Sequence, residues 1–391
     1  MSAVHLRTAR RIDDIASFRV MDLLARARQL EAEGRRIVHL EIGEPDFDTP
    51  TAIVEAGRAA LQAGATRYTP ALGLPALREA IAGFYATHYG VTISPERVIV
   101  TPGASGALQL VLGVLVDPDT EVLMTDPGYP CNRHFVRLFE GRARQVMVRR
   151  DTRYQLTPEL LRAHWSKRTV AALVASPANP TGTLIAKGML AEMAAYAAER
   201  EGALIVDEIY QGLVYDQPDA TALEISDQVF VVNSFSKYFG MTGWRLGWIV
   251  APEAYVRPIE KLAQNLFLCA PTPSQHAALA AFEPEVLSIL EGRRAEFRTR
   301  RDFLLPELRA LGFNIPVTPD GAFYLYANCE RFGVDAETLS ARLLEEAGVA
   351  VTPGTDFGEN GADQHIRFAY TTGMDDLKEA VARLRDFFKR A

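Results

Sequence analysis

The chain contains 391 residues, 48% of them hydrophobic, and has a formal net charge of −7 at pH 7. This length suggests two or three globular domains, at about 100 to 200 residues per domain. The acidic balance supplies no basic field for phosphate backbones or anionic lipid, which argues against nucleic acid and membrane surfaces as partners.

Local features argue against three other classes of protein. Cys131, Cys269 and Cys329 lie far apart, without CxxC or Cys/His spacing, so the sequence predicts neither a disulfide framework nor a metal site. The N-terminal residues mix arginines with acids and have no continuous apolar core, unlike a secretory signal. The longest apolar run, residues 107–116, is shorter than the roughly 20 residues that span a bilayer. We therefore expect a cytoplasmic protein.

Short, β-rich apolar runs alternate with longer helical patterns between Val98 and Val250. This alternation predicts a mostly parallel sheet covered by helices, that is, an α/β fold. The predicted strands, in chain order, are residues 97–101, 121–126, 171–176, 203–208, 229–234 and 246–251. Open α/β sheets bind ligands outside the carboxyl ends of their strands, so we expect the functional site there.

The pattern changes after Pro284, where a charged helical stretch (residues 291–313) leads to two alternating strand-like runs, 321–328 and 365–370. This change predicts a second, smaller α+β domain. We expect a large domain over residues 46–284, and a small domain with an N-terminal arm from residues 1–45 and 285–391. The arginine cluster of the helical stretch is interpreted as a solvated helix face.

The first three strand ends carry weak signals, each with a plain structural alternative. The turn PGASGAL (102–108) opens directly into a helix, whose free N–H groups and Ser105 hydroxyl can hold a phosphate. An ordinary N-capping turn is the alternative. Tyr129 follows the second strand and can stack on a planar ring, or simply fill the turn. Asn179 in SPANPTG (176–182) offers a side-chain amide, although that segment is also a good turn sequence.

The next two strand ends carry a carboxylate, a phenol and a lysine. Asp207 and Tyr210 follow the fourth strand, and a buried acid there requires a cation or a helix N-cap. Lys237 follows the fifth strand, where the alternative is a surface lysine. Pyridoxal phosphate needs a lysine for its aldehyde, a carboxylate for its pyridine nitrogen, donors for its phenolic oxygen and an anion site for its phosphate. Together, the strand ends supply this set.

Ordered motifs along nearly the whole chain also resemble a known family, the class I/II aminotransferases of the aspartate aminotransferase type, which are fold type I pyridoxal phosphate enzymes. The motifs are EIGEPDF, ATRYTP, PGASGAL, DPGYP, SPANPTG, VDEIY, SFSK, TGWRLG, GAFY and IRFAY.

This resemblance implies a role for each matching residue. Lys237 binds pyridoxal 5'-phosphate covalently and moves the substrate proton, Asp207 pairs with the pyridine nitrogen, and Tyr210 completes the catalytic set. The remaining cofactor contacts implied are Asn179 and Tyr210 at the phenolic oxygen, Tyr129 on the ring, and Ala104, Ser105, Ser234, Ser236 and Arg245 at the phosphate. Tyr68 would reach the phosphate of a partner subunit, which implies a homodimer with shared active sites.

The resemblance also implies a site for the substrate carboxylate at Arg367, assisted by Asn179 and the backbone of Gly43. A guanidinium group offers a bidentate fork for a carboxylate, and each charge-assisted hydrogen bond contributes roughly 1.5 to 3 kcal/mol.

The expected reaction is transfer of an amino group from an L-amino acid to a 2-oxo acid, 2-oxoglutarate or pyruvate, with ping-pong kinetics. Aspartate-specific relatives use an arginine from the partner subunit, and the matching segment here, residues 264–275, has none. Another branch has a lysine where this chain has Ser105. Both departures predict a neutral or broad donor range.

Three alternatives remain open at this stage. A pyridoxal phosphate-dependent carbon–sulfur lyase uses the same fold and the same lysine. A non-catalytic ligand-sensing domain of a transcription regulator is disfavoured by the short, weakly basic segment before EIGEPDF. A nicotinamide dehydrogenase is disfavoured because no GxGxxG fingerprint is present.

Overall fold

The computed structural model describes residues 7–390, and its strands form three sheets. The strands are β1 (Val38–His39), β2 (Val98–Thr101), β3 (Glu121–Asp126), β4 (Arg142–Met147), β5 (Thr169–Ala175), β6 (Ala203–Asp207), β7 (Phe230–Ser234), β8 (Gly247–Val250), β9 (Tyr324–Asn328), β10 (Val349–Ala350), β11 (Thr352–Pro353) and β12 (His365–Ala369). The α-helices are α1 (Arg19–Ala32), α2 (Thr51–Gln62), α3 (Pro75–Phe84), α4 (Gly103–Leu115), α5 (Pro130–Leu138), α6 (Pro158–His164), α7 (Lys187–Glu199), α8 (Glu253–Leu266), α9 (Thr272–Leu279), α10 (Pro284–Leu311), α11 (Ala336–Arg342) and α12 (Met374–Arg390).

The largest sheet has seven strands in the order β2-β8-β7-β6-β5-β3-β4. Its strands are parallel except β8, which runs antiparallel to both of its neighbours. The predicted mostly parallel α/β sheet is therefore confirmed, and its six predicted strands are all present. The prediction missed β4, because this edge strand is mostly polar and only partly buried and so has no apolar run.

The continuous apolar runs of the central strands follow from burial on both faces of the sheet. In β6, for example, Leu204 and Val206 pack into one hydrophobic core, while Ala203 and Ile205 pack into a second core on the opposite face. Helices cover both faces, so the polar ends of the strands are left as the place where a ligand can enter.

The smaller sheets combine the two ends of the chain. Strands β11, β12 and β9 form an antiparallel sheet, and β1 pairs in parallel with β10. This arrangement agrees with a smaller α+β unit built from the N-terminal segment and the C-terminal part. The domain limits at residues 46 and 284 stay a prediction, and residues 1–6 and 391 of the predicted small domain lie outside the described residues.

The arginine cluster on α10 corrects the interpretation of a solvated helix face. Arg300 and Arg301 are buried, each only 3% exposed. Arg300 pairs with Asp46 at 2.8 Å, and Arg301 pairs with Asp216 at 2.7 Å. The interpretation was wrong for these two residues because α10 packs against the rest of the protein, so that part of its charged surface becomes interior and needs paired acids.

Three further findings concern residues 7–390 as a whole. None of the helices in this range is long and apolar enough to cross a membrane. No group of three or more His, Cys, Asp or Glu side chains is arranged to hold a metal ion there. Cys131, Cys269 and Cys329 are all free thiols.

Candidate active site

A cavity of about 530 Å³ lies at the carboxyl ends of the central strands. Its walls include Ala175 at the end of β5, Asp207 at the end of β6, Ser234 at the end of β7 and Ala104 at the start of α4. All the predicted site residues except Tyr68 line this one cavity. The fold thus brings together side chains from most of the length of the sequence.

Lys237 lies in the turn that follows β7 and points into the cavity. Its Nζ donates a hydrogen bond of 2.7 Å to the carbonyl oxygen of Gly43. Removal from water lowers the pKa of Lys237 from its usual 10.5 to about 8, with partial opposition from the negative charges of Glu44 and Asp207. A substantial fraction of this lysine is therefore a neutral amine at mildly alkaline pH, which suits a nucleophile or a general base.

Asp207 is the acid of the pair 207–208 that faces the cavity. It is 5% exposed, and Oδ1 accepts a hydrogen bond of 3.1 Å from the Ile209 N–H. Burial raises the pKa of Asp207 from 3.8 to about 6, since the hydrogen bond from Ile209 and the charge of Lys237 offset only part of the lost hydration. Within the described chain the carboxylate has no ion-pair partner, so a cation in the cavity would stabilise it.

Glu208 points away from the cavity and has a structural role. Its carboxylate accepts hydrogen bonds from the hydroxyl of Thr221 at 2.9 Å and from the N–H of Ala222 at 2.6 Å. Burial raises the pKa of Glu208 to about 8. Successive residues at a strand end point in opposite directions. Asp207 therefore faces the cavity, whereas Glu208 stabilises the turn at Thr221.

The start of α4 and Arg245 form a cradle for an anion. Pro102, at the N-cap, has no capping side chain, so the first N–H groups of α4 remain available. Gly103 has φ +72°, and a Cβ there would lie 2.7 Å from Nη2 of Arg245. Arg245 donates to the Thr242 carbonyl at 3.0 Å and forms no ion pair within the described residues. The glycine thus lets an unpaired guanidinium approach the positive end of a helix.

Two serine hydroxyls complete this end of the cavity. Ser234 Oγ lies 2.9 Å from Ser236 Oγ, and both residues are buried cavity wall. Neutral hydroxyls beside a helix N-terminus and an arginine supply donors without adding negative charge. This combination is suited to a phosphate group.

Aromatic and amide side chains form the middle of the cavity. Tyr129 follows β3 and packs edge-to-face against Phe18, with ring centroids 6.1 Å apart. The hydroxyls of Tyr210 and Tyr324 lie 2.8 Å apart. Asn179 accepts a hydrogen bond of 3.0 Å from Arg367 through Oδ1, which orients its amide nitrogen as a donor for another group.

Arg367, on β12, is a buried cation without a carboxylate partner in the described chain. It is 2% exposed; Nη1 donates to Asn179, Nη2 donates to the Glu41 carbonyl, and Nε has no hydrogen-bond partner. Its guanidinium carbon lies 4.4 Å from the ring centre of Tyr324 and 4.7 Å from that of Phe357. Neutral contacts position this charge but do not neutralise it, so an anion bound in the cavity would relieve a substantial desolvation cost.

Tyr68 is the predicted site residue that the cavity of this chain does not include. It is 82% exposed and lies beside a shallow surface hollow that is also lined by Leu266 and Phe267. Its predicted role at a partner's phosphate stays a prediction.

Several cavity residues were not predicted from the sequence. Phe18, immediately before α1, and Val20 and Met21 in its first turn line the cavity, and so do Glu44 and Tyr324. Tyr324 belongs to the GAFY motif, which was a signal without an assigned role. The α1 residues gave no signal, because their position depends on contacts with the distant residue Asp356, whose Oδ1 accepts a hydrogen bond of 3.2 Å from the Arg19 N–H.

Taken together, the fold and the cavity define an enzyme of the α/β class. Its site offers one lysine and one buried carboxylate, Asp207, together with two unpaired arginines that suit two anionic groups.

Comparison with known proteins identifies the family. The sequence profile described as Aminotransferase class I and II matches residues 35–384. The chain belongs to the class I and II aminotransferase family, whose members use pyridoxal phosphate. It is 38% identical to a (5-formylfuran-3-yl)methyl phosphate transaminase of Methanocaldococcus jannaschii, over 98% of this chain and 100% of the relative. It is 37% identical to a valine–pyruvate aminotransferase of Mycobacterium tuberculosis, over 95% and 96%.

A solved structure agrees with this assignment. The crystal structure of an aminotransferase from Mycobacterium tuberculosis superimposes with a TM-score of 0.95 at 36% identity, covering 99% of this chain and 100% of that one. The protein is therefore an aminotransferase, and the predicted family and enzyme class are confirmed.

Proposed function

We propose that this aminotransferase binds pyridoxal 5'-phosphate covalently through Lys237 and transfers the amino group of a neutral L-amino acid to 2-oxoglutarate or pyruvate by a ping-pong mechanism. The observation that carries the proposal is the charge pattern of the cavity. Lys237 shares the cavity with two arginines, Arg245 and Arg367, neither of which forms an ion pair in the described chain. Phosphate and substrate carboxylate are the two anions that such a site would need.

The residues present fit the cofactor. The cradle of α4 and Arg245 suits the phosphate, because a Cβ at Gly103 would fill it. Asp207 suits the pyridine nitrogen, since a protonated ring nitrogen would supply its missing cation. Tyr129 offers a ring face, and Asn179 and Tyr210 offer donors for the phenolic oxygen. A cavity of about 530 Å³ is within the usual range for a small-molecule site.

When bound, pyridoxal phosphate supplies an electron sink that stabilises a carbanion at the substrate α-carbon. The protein's own contribution begins with Arg367, which holds the α-carboxylate with Asn179 and thereby orients the α-hydrogen. Lys237, as a neutral amine, would take the α-proton and deliver it to C4′ of the cofactor. Its lowered pKa, about 8, makes this exchange accessible near physiological pH. Asp207 would keep the pyridine nitrogen of the cofactor protonated at the far end of the site.

The expectation of a neutral amino donor depends on how many cationic side chains line the cavity. The cationic side chains that line the cavity in residues 7–390 are Lys237, Arg245 and Arg367, and each already has a role. The relatives carry names for very different substrates, a furan phosphate and valine, so a name alone does not fix the donor here. Because these relatives are transaminases, transamination is favoured over carbon–sulfur lysis.

We also propose a homodimer, located in the cytoplasm. Tyr68, Leu266 and Leu268 are 82%, 48% and 54% exposed. A second copy of the chain would cover these apolar side chains and could bring Tyr68 to the phosphate of the other active site. Analytical ultracentrifugation at micromolar concentration tests this, since a monomer would contradict the proposal.

The central experiment compares Lys237→Ala with the wild-type protein and with Lys261→Ala, which removes an exposed lysine of α8. The wild type should convert neutral amino acids to 2-oxo acids without releasing ammonia, and mass spectrometry after borohydride reduction should find the cofactor on Lys237. Lys237→Ala should lose both properties, whereas Lys261→Ala should keep them. Normal turnover by Lys237→Ala would refute the assignment, and ammonia release would indicate the lyase.

A further inference from the structure

One wall of the cavity is apolar and has no assigned role in the proposed function. It consists of Phe18, Val20, Met21 and Ile42, which we call the apolar wall. Val20 is buried, whereas Met21 is 52% exposed at the mouth. The aromatic ring of Phe18 rests against Tyr129 with an interplanar angle of 88°. These side chains therefore continue the surface formed by Tyr129 toward solvent.

The apolar wall is held in place by polar contacts behind it. Asp356 accepts a hydrogen bond from the Arg19 N–H at the start of α1, and Arg133 donates to the Asp356 carbonyl at 3.4 Å. The Arg19 guanidinium pairs with Glu337. Arg19 and Arg133 line a separate surface groove instead of the cavity, so neither supplies a cation to the wall.

The direction of the substrate side chain follows from the other contacts. The carboxylate is committed to Arg367, the reacting carbon must lie beside Lys237, and the phosphate of the cofactor is committed to Arg245. Leu108, Ala175, Ile209 and Thr242 also line the cavity, but they lie on or next to the elements that would hold the cofactor. The apolar wall is therefore the part that remains for the side chain of the amino acid. Glu44, which is exposed, also lines the cavity, and its negative charge would repel a second carboxylate.

We infer that the apolar wall selects an amino donor with an apolar side chain and an acceptor that is a monocarboxylic 2-oxo acid. The inference rests on the proposed function and narrows it. In a ping-pong reaction both substrates use one site in turn, so the wall that accepts the donor's side chain must also accept that of the 2-oxo acid. A distal carboxylate would lose hydration against apolar groups without gaining a partner. Pyruvate is therefore favoured over 2-oxoglutarate.

The first test uses the wild-type holoenzyme. With leucine as donor, kcat/KM for pyruvate should exceed that for 2-oxoglutarate by at least about tenfold, the discrimination expected from a pocket that leaves one charge unpaired. Calorimetry provides a readout other than turnover, because 4-methylpentanoate should bind more tightly than glutarate. Turnover with 2-oxoglutarate equal to or better than pyruvate would overturn the inference and leave aminotransfer standing. Absence of turnover with every amino acid would refute the proposed function itself.

The second test moves a cation into the wall. Met21→Arg should raise kcat/KM for 2-oxoglutarate relative to pyruvate by roughly tenfold, and should tighten glutarate binding similarly. Met147→Arg is the matched control, because Met147 is 51% exposed on β4 and does not line the cavity. Equal responses of the two variants, or no response to Met21→Arg, would contradict the assigned wall.

The third test removes the aromatic ring of Phe18 from the apolar wall. Phe18→Ala should lower kcat/KM for leucine and phenylalanine by roughly 10- to 100-fold while changing that for alanine much less. Circular dichroism and thermal unfolding check that the variant is folded. A uniform loss for all three donors would mean that Phe18 affects the site generally and does not select the donor.

Discussion

Replacing Asp207 with asparagine should make the cofactor-free protein more stable and the enzyme much less active. The folded chain raises the pKa of this carboxyl from 3.8 to about 6, because burial removes its hydration. A raised pKa means that the carboxyl contributes stability below its unfolded pKa, and that this contribution is lost as the pH rises through about 6. Asparagine does not titrate and therefore avoids the loss.

The size of the effect follows from the shift. A difference of about 2 pKa units at about 1.4 kcal/mol per unit corresponds to roughly 3 kcal/mol. Between about pH 4 and pH 8, the free energy of unfolding of cofactor-free Asp207→Asn should therefore rise by up to about 3 kcal/mol relative to that of the wild type. The activity of the holoenzyme should fall, since a neutral amide cannot balance a positive pyridine nitrogen. Loss of such an electrostatic partner typically lowers kcat by about 10²- to 10³-fold.

The assay combines urea unfolding of the cofactor-free proteins at a series of pH values with steady-state kinetics of the holoenzymes. Glu208→Gln is the matched control, because Glu208 is equally buried but hydrogen-bonded by Thr221 and Ala222 outside the cavity. This control should retain kcat within a few-fold. The reasoning would be refuted by identical pH dependence of unfolding in Asp207→Asn and wild type, or by normal kcat in Asp207→Asn.

Three further predictions concern the anion sites and the lysine. Arg367→Lys keeps the charge but loses the bidentate fork, so kcat/KM should fall by roughly 10- to 1,000-fold, mainly through a higher KM. The control Arg301→Lys changes a buried arginine outside the cavity and should lower stability without changing KM. An unchanged KM in Arg367→Lys would contradict the carboxylate role. Because burial lowers the pKa of Lys237 to about 8, cofactor attachment to the cofactor-free protein should accelerate with pH and level off above about 8, as stopped-flow absorbance can measure; a rate that keeps rising toward pH 10 would exclude the lowered pKa. Gly103→Ala adds a Cβ 2.7 Å from Arg245 at a left-handed φ, so the dissociation constant for pyridoxal phosphate should rise at least about tenfold in equilibrium dialysis, whereas equal affinity would argue against the cradle.

The sequence predicted the central sheet well because the buried strands are recognisable from their apolar composition. A strand buried on both faces reads as an unbroken apolar run, as in β6 and β7, and its end is visible where polar residues begin. The edge strand β4 lacks this pattern and was missed. The family resemblance was confirmed by the profile match, and the strand-end rule correctly indicated where the cavity would lie.

Side-chain environments were less predictable. Arg300 and Arg301 looked like surface residues, since a charged helix gives no local sign that another part of the chain will cover it. The sequence assigned Asp207 to the site but said nothing about Glu208. Only the structure shows that the Glu208 carboxylate accepts a hydrogen bond from Thr221, outside the cavity.

The sequence by itself therefore determined the fold class, the family and the residues that meet at the strand ends, because these depend on local periodicity and on motifs. Only the tertiary structure decided which side chains share a charge environment. The resemblance already paired Arg367 with Asn179, but only the structure shows that Arg367 has no ion-pair partner in the described chain. Likewise, the Phe18–Met21 segment reaches the cavity because the distant Asp356 holds the start of α1. Such contacts depend on the packing of elements that are remote in the chain, and that packing sets both the pKa of Lys237 and the apolar wall.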